Sequence, residues 1–304
     1  MHEKQVHLSN WLLLSQLILF AACDVVPYKN AKEIRPIAPI DTTTTIDTTA
    51  IVPQNVLIED YTGHTCGNCP SAALDAKRLE GLYPGRVFIM GVHCSFFARP
   101  KNNANGSFKT DFRTPVGDAL DAKFKVSSAG LPKGIVNRRR FGNSTLSILS
   151  STEWEGKVSQ ILAEEPMGIK ININPIFSIT SRQLRVNADV LFQKEYSENL
   201  KMALYVTEDS IVSWQKDYSR PPLGLEEDFA NYVHNHVLRT DLTPSSGTDV
   251  LNSGLVPANK RFLTSWTTTL AANVVSKKCH VLMIIFKADT DEIVQVFEKE
   301  LTEN

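Results

Sequence analysis

The sequence predicts two folded domains in tandem, an α/β domain at residues 54–165 and an all-β antiparallel sandwich at residues 166–304. Two continuous apolar runs separated by a helical pattern indicate a β-α-β unit, and therefore a parallel sheet covered by helices, in the first domain. Alternation of apolar and polar residues in the second half indicates antiparallel strands with one solvated face. The length of 304 residues fits about two domains.

The N-terminal segment is expected to lie outside both domains. Residues 1–22 contain an apolar stretch that is short for a membrane span and typical of a signal peptide. Two alanines precede Cys23, which favours lipidation of this cysteine after cleavage; the alternative is an ordinary secretory signal with a chance cysteine. Residues 23–53 are rich in proline and threonine, so we expect an extended tether. Both alternatives place the mature chain where disulfides persist.

The first domain begins with an apolar strand pattern at residues 55–61, and Cys66-Gly67-Asn68-Cys69 follows it. Five further patterns complete the domain. They are a helix at residues 70–79, a buried strand at residues 87–93, a helix opened by Thr114-Pro115, a strand at residues 135–138 and a helix with the capping box Ser150-x-x-Glu153.

A Cys-x-x-Cys motif between a strand and a helix is typical of thiol–disulfide exchange. The free N–H groups and the dipole at a helix N-terminus favour the thiolate of Cys66, and Cys69 lies within disulfide reach. The alternatives are half of a zinc site or a structural disulfide. The sequence contains no second Cys-x-x-Cys to complete a four-ligand zinc site, so we favour a redox motif.

The segment from residue 54 to residue 165 resembles the thioredoxin fold, which places Cys-x-x-Cys after a central strand and a cis-proline before a later strand. The resemblance implies that Cys66 attacks, that Cys69 resolves and that Pro132 presents backbone to an extended substrate. It also implies that Asp60 is a buried acid that accepts a proton from the resolving thiol. Thr65 departs from the aromatic residue usual in the family, which leaves the redox potential and the partners open.

Pro132 and Asp60 also have plainer interpretations, and so does His64 next to the motif. Pro132 fits an ordinary trans turn, because Gly-Leu-Pro-Lys-Gly is good turn chemistry. Asp60 fits a solvent-facing residue at a strand end, since burying an unpaired acid is costly. His64 is placed to stabilise the Cys66 thiolate as a cation, but we favour a surface loop residue there.

In the second domain, strands are predicted at residues 169–174, 184–190, 200–206, 265–275, 280–287 and 292–301. Residues 207–261 are expected to form a long loop. His234 and His236 are two residues apart and are candidate metal ligands, but no third ligand is evident, so structural hydrogen bonding is favoured. No cofactor is indicated.

Charge and the remaining cysteines add two expectations. The net charge of −1 gives no electrostatic case for binding nucleic acid. We interpret Arg138-Arg139-Arg140 as a solvated face rather than a phosphate clamp. Cys94 and Cys279 are either an interdomain disulfide or two buried free thiols, and the second is favoured because free cysteine is so often buried.

Taken together, the chain resembles the Omp28 family of outer-membrane lipoproteins from Bacteroidetes. The resemblance rests on Cys23 with its signal, the threonine-rich segment, the stretch from Thr62 to Pro70 and the stretch from Tyr232 to Arg239. It implies an outer-membrane location through an N-terminal lipid. The expected function is thiol–disulfide exchange on exported protein clients. The alternative is a surface binding, adhesin-like or structural lipoprotein whose Cys66–Cys69 disulfide is only a staple.

Overall fold

The computed structural model describes residues 42–43, 50–142, 144–251 and 254–304. The expected signal peptide at residues 1–22, the expected lipidation site Cys23 and most of the expected tether lie outside these ranges. The helices are α1 (Cys69–Leu82), α2 (Pro115–Phe124) and α3 (Ser151–Leu162). The strands are β1 (Thr42–Thr43), β2 (Val56–Thr62), β3 (Val87–His93), β4 (Lys133–Val136), β5 (Ile169–Ser178), β6 (Gln183–Phe192), β7 (Leu200–Glu208), β8 (Ile211–Lys216), β9 (Asp228–His234), β10 (Val237–Asp241), β11 (Thr248–Asp249), β12 (Lys260–Thr269), β13 (Cys279–Lys287), β14 (Ile293–Glu300) and β15 (Thr302–Glu303).

The largest sheet has eight strands in the order β14-β13-β7-β10-β3-β2-β4, with β11 added to β7. β2 pairs in parallel with β3, and β4 pairs antiparallel with β2. Every residue of β2 and β3 is buried, as expected for strands covered on both faces. The fold is therefore a mixed α/β arrangement, rich in sheet.

Helices cover both faces of β2 and β3. α1 and α3 pack on one face through a cluster that includes Ile58, Leu79 and Trp154. α2 packs on the other face through Val116 and Leu120. The predicted helix starts are confirmed, because Gly117 N donates to Thr114 Oγ1 over 3.0 Å and the capping box of Ser150 and Glu153 is present.

The large sheet runs through the boundary expected between residues 165 and 166. β10 lies between β3 and β7, and Gly91 N donates to His236 O over 2.8 Å. The described residues all belong to one compact unit by their contacts. An open β3 edge would leave unpaired N–H and C=O groups, and a later strand satisfies them.

The expectation of a long loop at residues 207–261 is wrong, because the segment contains β8, β9, β10, β11 and the start of β12. β8 and β9 pair with each other as a separate two-stranded sheet. The apolar alternation that reveals a strand is missing here, since the inward positions include Ser213, Gln215 and His234. Strands with buried polar residues give no hydrophobic period.

A second sheet has five strands in the order β1-β12-β6-β5-β15. The alternation predicted for β5 and β6 is confirmed by their alternating burial. The buried side chains of this sheet pack against those of β7, β13 and β14 in one core. Members of that core include Ile173, Val186, Trp266, Leu204 and Met283.

Part of the expected tether lies against the strands of the second half. β1 pairs antiparallel with β12, and Gly168 N donates to Val52 O over 2.8 Å. Val52 N in turn donates to Gln193 Oε1 over 2.8 Å. The described part of residues 23–53 is therefore anchored by hydrogen bonds rather than a free spacer. Among the described residues, no helix combines the length and apolarity needed to cross a membrane.

The basic run also differs from expectation, because Arg138 is only 1% exposed. Its Nε and Nη2 donate to the two carboxylate oxygens of Glu59 over 2.8 and 2.7 Å. Arg138 also stacks over the rings of Phe124 and Phe286, which joins β2 to the second half of the chain. A bidentate pair of this kind satisfies a charge that burial would otherwise penalise.

Candidate functional site

Cys66 and Cys69 form a disulfide at the N-terminus of α1, with 5.4 Å between their Cα atoms. β2 ends at Thr62, a loop follows, and Cys69 is the first residue of the helix. The loop is tightly turned, since Cys66 N donates to Gly63 O and Cys69 N donates to Cys66 O over 3.0 and 3.2 Å. The helix dipole at this position favours a thiolate when the bond is reduced.

Both cysteines are covered, although an attacking cysteine is expected to be accessible. Cys66 is 3% exposed and Cys69 is 2% exposed. The cover is the segment from β8 to β9, residues 211–234, which we call the β8–β9 hairpin. Gln215 Nε2 donates to Cys66 O over 3.0 Å, and Tyr218 N donates to Gly67 O over 2.8 Å.

Gly67 is required by this cover. A Cβ at position 67 would lie 2.5 Å from the ring of Tyr218, which is far inside van der Waals contact. On another side of the same loop, Thr65 N and Thr65 Oγ1 both donate to Phe97 O, over 3.1 and 3.0 Å. The disulfide loop is thus held by contacts with both Tyr218 and Phe97.

Asp60 is buried on β2, at 4% exposure, and is not the solvent-facing residue of the plainer interpretation. Its partners in register are Gly91 on β3 and Gly134 on β4, neither of which has a side chain. Asp60 Oδ1 has no hydrogen-bond partner. Desolvation by burial raises the pKa of Asp60 to about 7, so the carboxyl is partly protonated at neutral pH.

A cavity of about 370 Å³ lies beside the disulfide. Asp60 and Cys69 both line it, together with His93 and His234. One wall comes from α1 and another from β9. The cavity therefore joins Cys69 to a buried acid and to two histidines.

The histidines near the disulfide are buried and neutral at neutral pH. His93 stacks on Phe112 with 4.6 Å between ring centroids, and His234 lies 4.5 Å from the same ring. Burial lowers the pKa of His234 to about 3 and the pKa of His93 well below its ordinary value. His93 Nδ1 and His234 Nε2 have no hydrogen-bond partner. These neutral rings can accept or donate a proton in hydrogen bonds without adding charge.

His64 was expected on the surface and is instead fully buried. Its Nε2 lies 2.9 Å from Arg99 O, and burial lowers its pKa. A cation that stabilises the Cys66 thiolate is therefore not what this ring supplies at neutral pH.

The Leu131–Pro132 peptide bond is cis. Pro132 directly precedes β4, and Lys133 is in register with Tyr61 on β2. Because β4 runs antiparallel to β2, Pro132 lies at the same end of the sheet as the loop that carries Cys66.

The two candidate metal ligands take different environments. Both line the cavity, but only His236 lies beside carboxylates: its Nε2 is 3.6 Å from Glu80 Oε2, and its backbone N donates to Asp209 Oδ1 over 2.6 Å. Over the described ranges, no group of three or more histidine, cysteine, aspartate or glutamate side chains is placed to hold a metal ion.

Cys94 and Cys279 are both reduced and buried, which is the alternative that the sequence favoured over an interdomain disulfide. Burial raises the pKa of the Cys94 thiol and raises that of Cys279 to about 12. Both thiols are therefore protonated and unreactive at neutral pH.

Sequence reasoning missed Gln215, Tyr218 and His93 as parts of the site. His93 was interpreted as a packing residue, and the other two were placed in the expected loop. The only signal for the hairpin was the length of that segment, because long segments in compact domains are often functional.

Residues 117–304 match the model of the family "Outer membrane protein Omp28". HBP35 of Porphyromonas gingivalis has a similar fold, with a TM-score of 0.56 and 16% identity over 83% of this chain and 77% of that one. No curated protein matches the sequence.

Two further solved structures are more distant. A domain of the outer membrane lipoprotein Omp28 from Porphyromonas gingivalis gives a TM-score of 0.30 and 12% identity, over 45% of this chain and 89% of that one. A protein of Agrobacterium tumefaciens gives a TM-score of 0.45 and 15% identity, over 82% of this chain and 95% of that one.

Proposed function

This chain belongs to the Omp28 family of outer membrane proteins, and within that family we propose that it exchanges thiols and disulfides with exported protein clients. The observation that carries the proposal is the Cys66–Cys69 disulfide at the N-terminus of α1, with Cys69 and Asp60 lining one cavity. A thiolate-stabilising helix end and an acid whose pKa lies near neutrality are the two groups that such an exchange uses.

Three finer statements belong to this proposal. Residues 54–165 form a thioredoxin-like unit, which is supported by the order β2, Cys-x-x-Cys, α1, β3, cis-Pro132 and β4. Residues 166–304 form an antiparallel β-sandwich, which is supported by the packing of the five-stranded sheet on β7, β13 and β14. A lipid on Cys23 anchors the chain, which is supported by the sequence before that residue.

The reaction begins from the oxidised protein. A client thiolate attacks Sγ of Cys66, the Cys66–Cys69 bond breaks, and Cys69 leaves as a thiolate that takes a proton. A second client thiolate then attacks the client sulfur of the mixed disulfide, and Cys66 leaves as a thiolate. The client gains a disulfide, and the protein holds two thiols. The reverse sequence reduces a client disulfide, so the potentials of the partners decide the direction.

Asp60 supplies the proton for the first step. The carboxyl lines the same cavity as Cys69, and its pKa of about 7 keeps a large fraction protonated at neutral pH. A thiolate next to a protonated acid in a dry site is neutralised as it forms, which makes it a better leaving group. His93 and His234 complete the polar lining without adding charge. Pro132 presents its backbone to the client at the same end of the sheet.

The reduction potential of Cys66–Cys69 tests this function. We expect a value between roughly −270 and −120 mV, the range of thiol–disulfide oxidoreductases. The full-length protein is equilibrated in thiol buffers of defined potential and alkylated. Mass spectrometry then measures the fraction that is reduced. A Cys94→Ala, Cys279→Ala variant serves as the background, so that only the site thiols are counted.

A trapping experiment identifies the attacking cysteine. Cys69→Ser is expected to accumulate a mixed disulfide with a reducible client protein through Cys66, because no resolving thiol remains. The matched variant Cys66→Ser is expected to accumulate far less, since the proposed mechanism makes Cys66, and not Cys69, the thiol that attacks the client. Equal trapping by both variants would contradict the assigned roles.

A structural staple is the second candidate function, and one observation favours it. Both cysteines are nearly inaccessible in the oxidised protein, at 3% and 2% exposure. Structural disulfides have potentials below roughly −300 mV. A value in that range, with no trapped client, would replace exchange by a surface binding or structural role.

A further inference from the structure

The β8–β9 hairpin touches the disulfide loop with backbone groups at alternate positions. Lys216 N donates to His64 O and Tyr218 N donates to Gly67 O, each over 2.8 Å. Asp217 N points the other way and donates to Glu227 O over 2.7 Å, within the hairpin. Alternating donors of this kind are those of an extended strand that pairs on one edge.

The side chain of Gln215, the residue just before these donors, adds a further contact with the loop. Gln215 Nε2 donates to Cys66 O over 3.0 Å and also lies 3.4 Å from Gly63 O. Three carbonyl oxygens of the loop, those of His64, Cys66 and Gly67, are therefore bonded by one short stretch of the same chain. An attacking thiol cannot reach Cys66 while this stretch is in place, since Cys66 is 3% exposed.

The same hairpin carries a large share of the exposed apolar side chains. Five of the twelve large apolar side chains that are exposed among the described residues belong to it: Val212, Tyr218, Leu223, Leu225 and Val233. Exposed apolar residues gathered in one place mark a site of interaction rather than a solvated surface. The hairpin is also a separate two-stranded sheet, so it can move without breaking the pairing of the large sheets.

We propose that the β8–β9 hairpin is a gate that stands in for the client, and that the client is an extended, apolar polypeptide segment. Such a segment binds the exposed apolar side chains of the hairpin and displaces residues 215–218. Its own N–H groups then bond the carbonyls of the disulfide loop. Gln215 and Tyr218 are thus specificity-determining residues, because they keep Cys66 from reacting with thiols that bring no polypeptide. This inference rests on the proposed exchange and names its substrate class.

The test measures how fast a small phosphine reductant opens the Cys66–Cys69 disulfide of the oxidised, full-length protein. Gln215→Ala and Tyr218→Ala are each expected to raise the rate about tenfold, because each removes contacts worth about 1.4 kcal/mol of closure. Ile179→Ser is the matched control for Tyr218→Ala, since Ile179 is 59% exposed and Tyr218 51%, but Ile179 lies between β5 and β6. It is expected to keep the wild-type rate.

A second arm tests the client class. A short, unstructured, cysteine-free peptide rich in valine and tyrosine is expected to accelerate reduction of the wild-type protein in a saturable manner. The same peptide with serine at its apolar positions is expected to leave the rate unchanged, and neither should accelerate the open variants further. Wild-type rates in both hairpin variants would overturn the gate. Equal effects of the two peptides, or no effect of either, would overturn the apolar polypeptide as its ligand.

The outcome is independent of whether the protein turns over clients. The phosphine drives reduction of a staple as well as of a redox disulfide, so the rate reports only access to the sulfur atoms. The reduction potential reports only the exchange function. If the hairpin variants keep the wild-type rate but the reduction potential is typical of oxidoreductases, the gate is overturned and the proposed function stands. If the variants are reduced faster but the potential is very low, the gate stands and the proposed function is overturned.

Discussion

Replacing Arg138 by alanine is expected to lower the free energy of unfolding by about 3–5 kcal/mol, because Glu59 would be left as a buried charge without its partner. Glu59 is fully buried and accepts from Arg138 Nε and Nη2 over 2.8 and 2.7 Å. The guanidinium also lies 4.9 Å from the ring centroid of Phe124, so the substitution removes packing as well as charge. Urea denaturation followed by circular dichroism measures the change.

The neighbouring arginine provides the control. Arg140→Ala removes the same side chain from an exposed position and is expected to change the free energy of unfolding by less than about 0.5 kcal/mol. The double variant Glu59→Leu, Arg138→Met replaces both charges by apolar groups and is expected to recover most of the lost stability. A loss for Arg138→Ala no larger than that for Arg140→Ala would show that the pair contributes little.

The strand, the disulfide and the helix of the site could be predicted, because the residues that form them are close together in the sequence. An apolar run, Cys66-x-x-Cys69 and a helical pattern are contiguous in the chain, so strand, disulfide and helix follow from neighbouring residues alone. The buried Asp60 and the cis-Pro132 came from the resemblance to the thioredoxin fold, since nothing in their neighbours distinguishes them from a strand-end acid and a turn proline.

The second half of the site is non-local, and the sequence conceals it. Gln215 meets Cys66 across a separation of 149 residues. β8 and β9 bury serine, glutamine and histidine on their inner positions, so the apolar alternation that would reveal them is absent. The pairing of β10 with β3 could not be predicted either. The sequence of β3 shows that the strand is apolar, but it does not show which later strand pairs with it.

Arg138 shows the same difficulty for charge. Three consecutive arginines indicate a solvated face when the carboxylate that pairs with one of them is unknown. Glu59 is 79 residues earlier and lies beside Asp60 in an otherwise apolar run, where two adjacent acids suggest a surface position. Only the fold brings the two side chains together, and burial of each then depends on the other.

Asp60→Asn is expected to raise the free energy of unfolding by roughly 4 kcal/mol at pH 8 and to leave it nearly unchanged at pH 4. Burial raises the pKa of Asp60 from 3.8 to about 7 in the folded protein. Between these two values the folded state holds a proton that the unfolded chain has released, so stability falls as the pH rises. Above the folded pKa the cost is complete and constant, and asparagine removes it because it does not ionise.

Urea denaturation at several pH values measures this difference between Asp60→Asn and the wild type. Asp289→Asn, which removes one carboxyl group from an exposed turn, is the control. Equal stability gains for Asp60→Asn at pH 4 and pH 8 would mean that Asp60 carries no raised pKa and that the benefit comes from packing alone.

Asp60→Asn also tests why the protein has a buried acid at this position that lowers its stability. Asparagine cannot donate the proton that Cys69 takes as it leaves, so reduction by a dithiol client at pH 7 is expected to slow by about 10²–10⁴, the usual contribution of a general acid. A variant that is more stable but slower means that the buried carboxyl is retained for exchange at the expense of stability. A variant that is more stable and equally fast would leave Asp60 as an uncompensated charge and would favour the staple, because a disulfide that never opens has no thiolate to protonate.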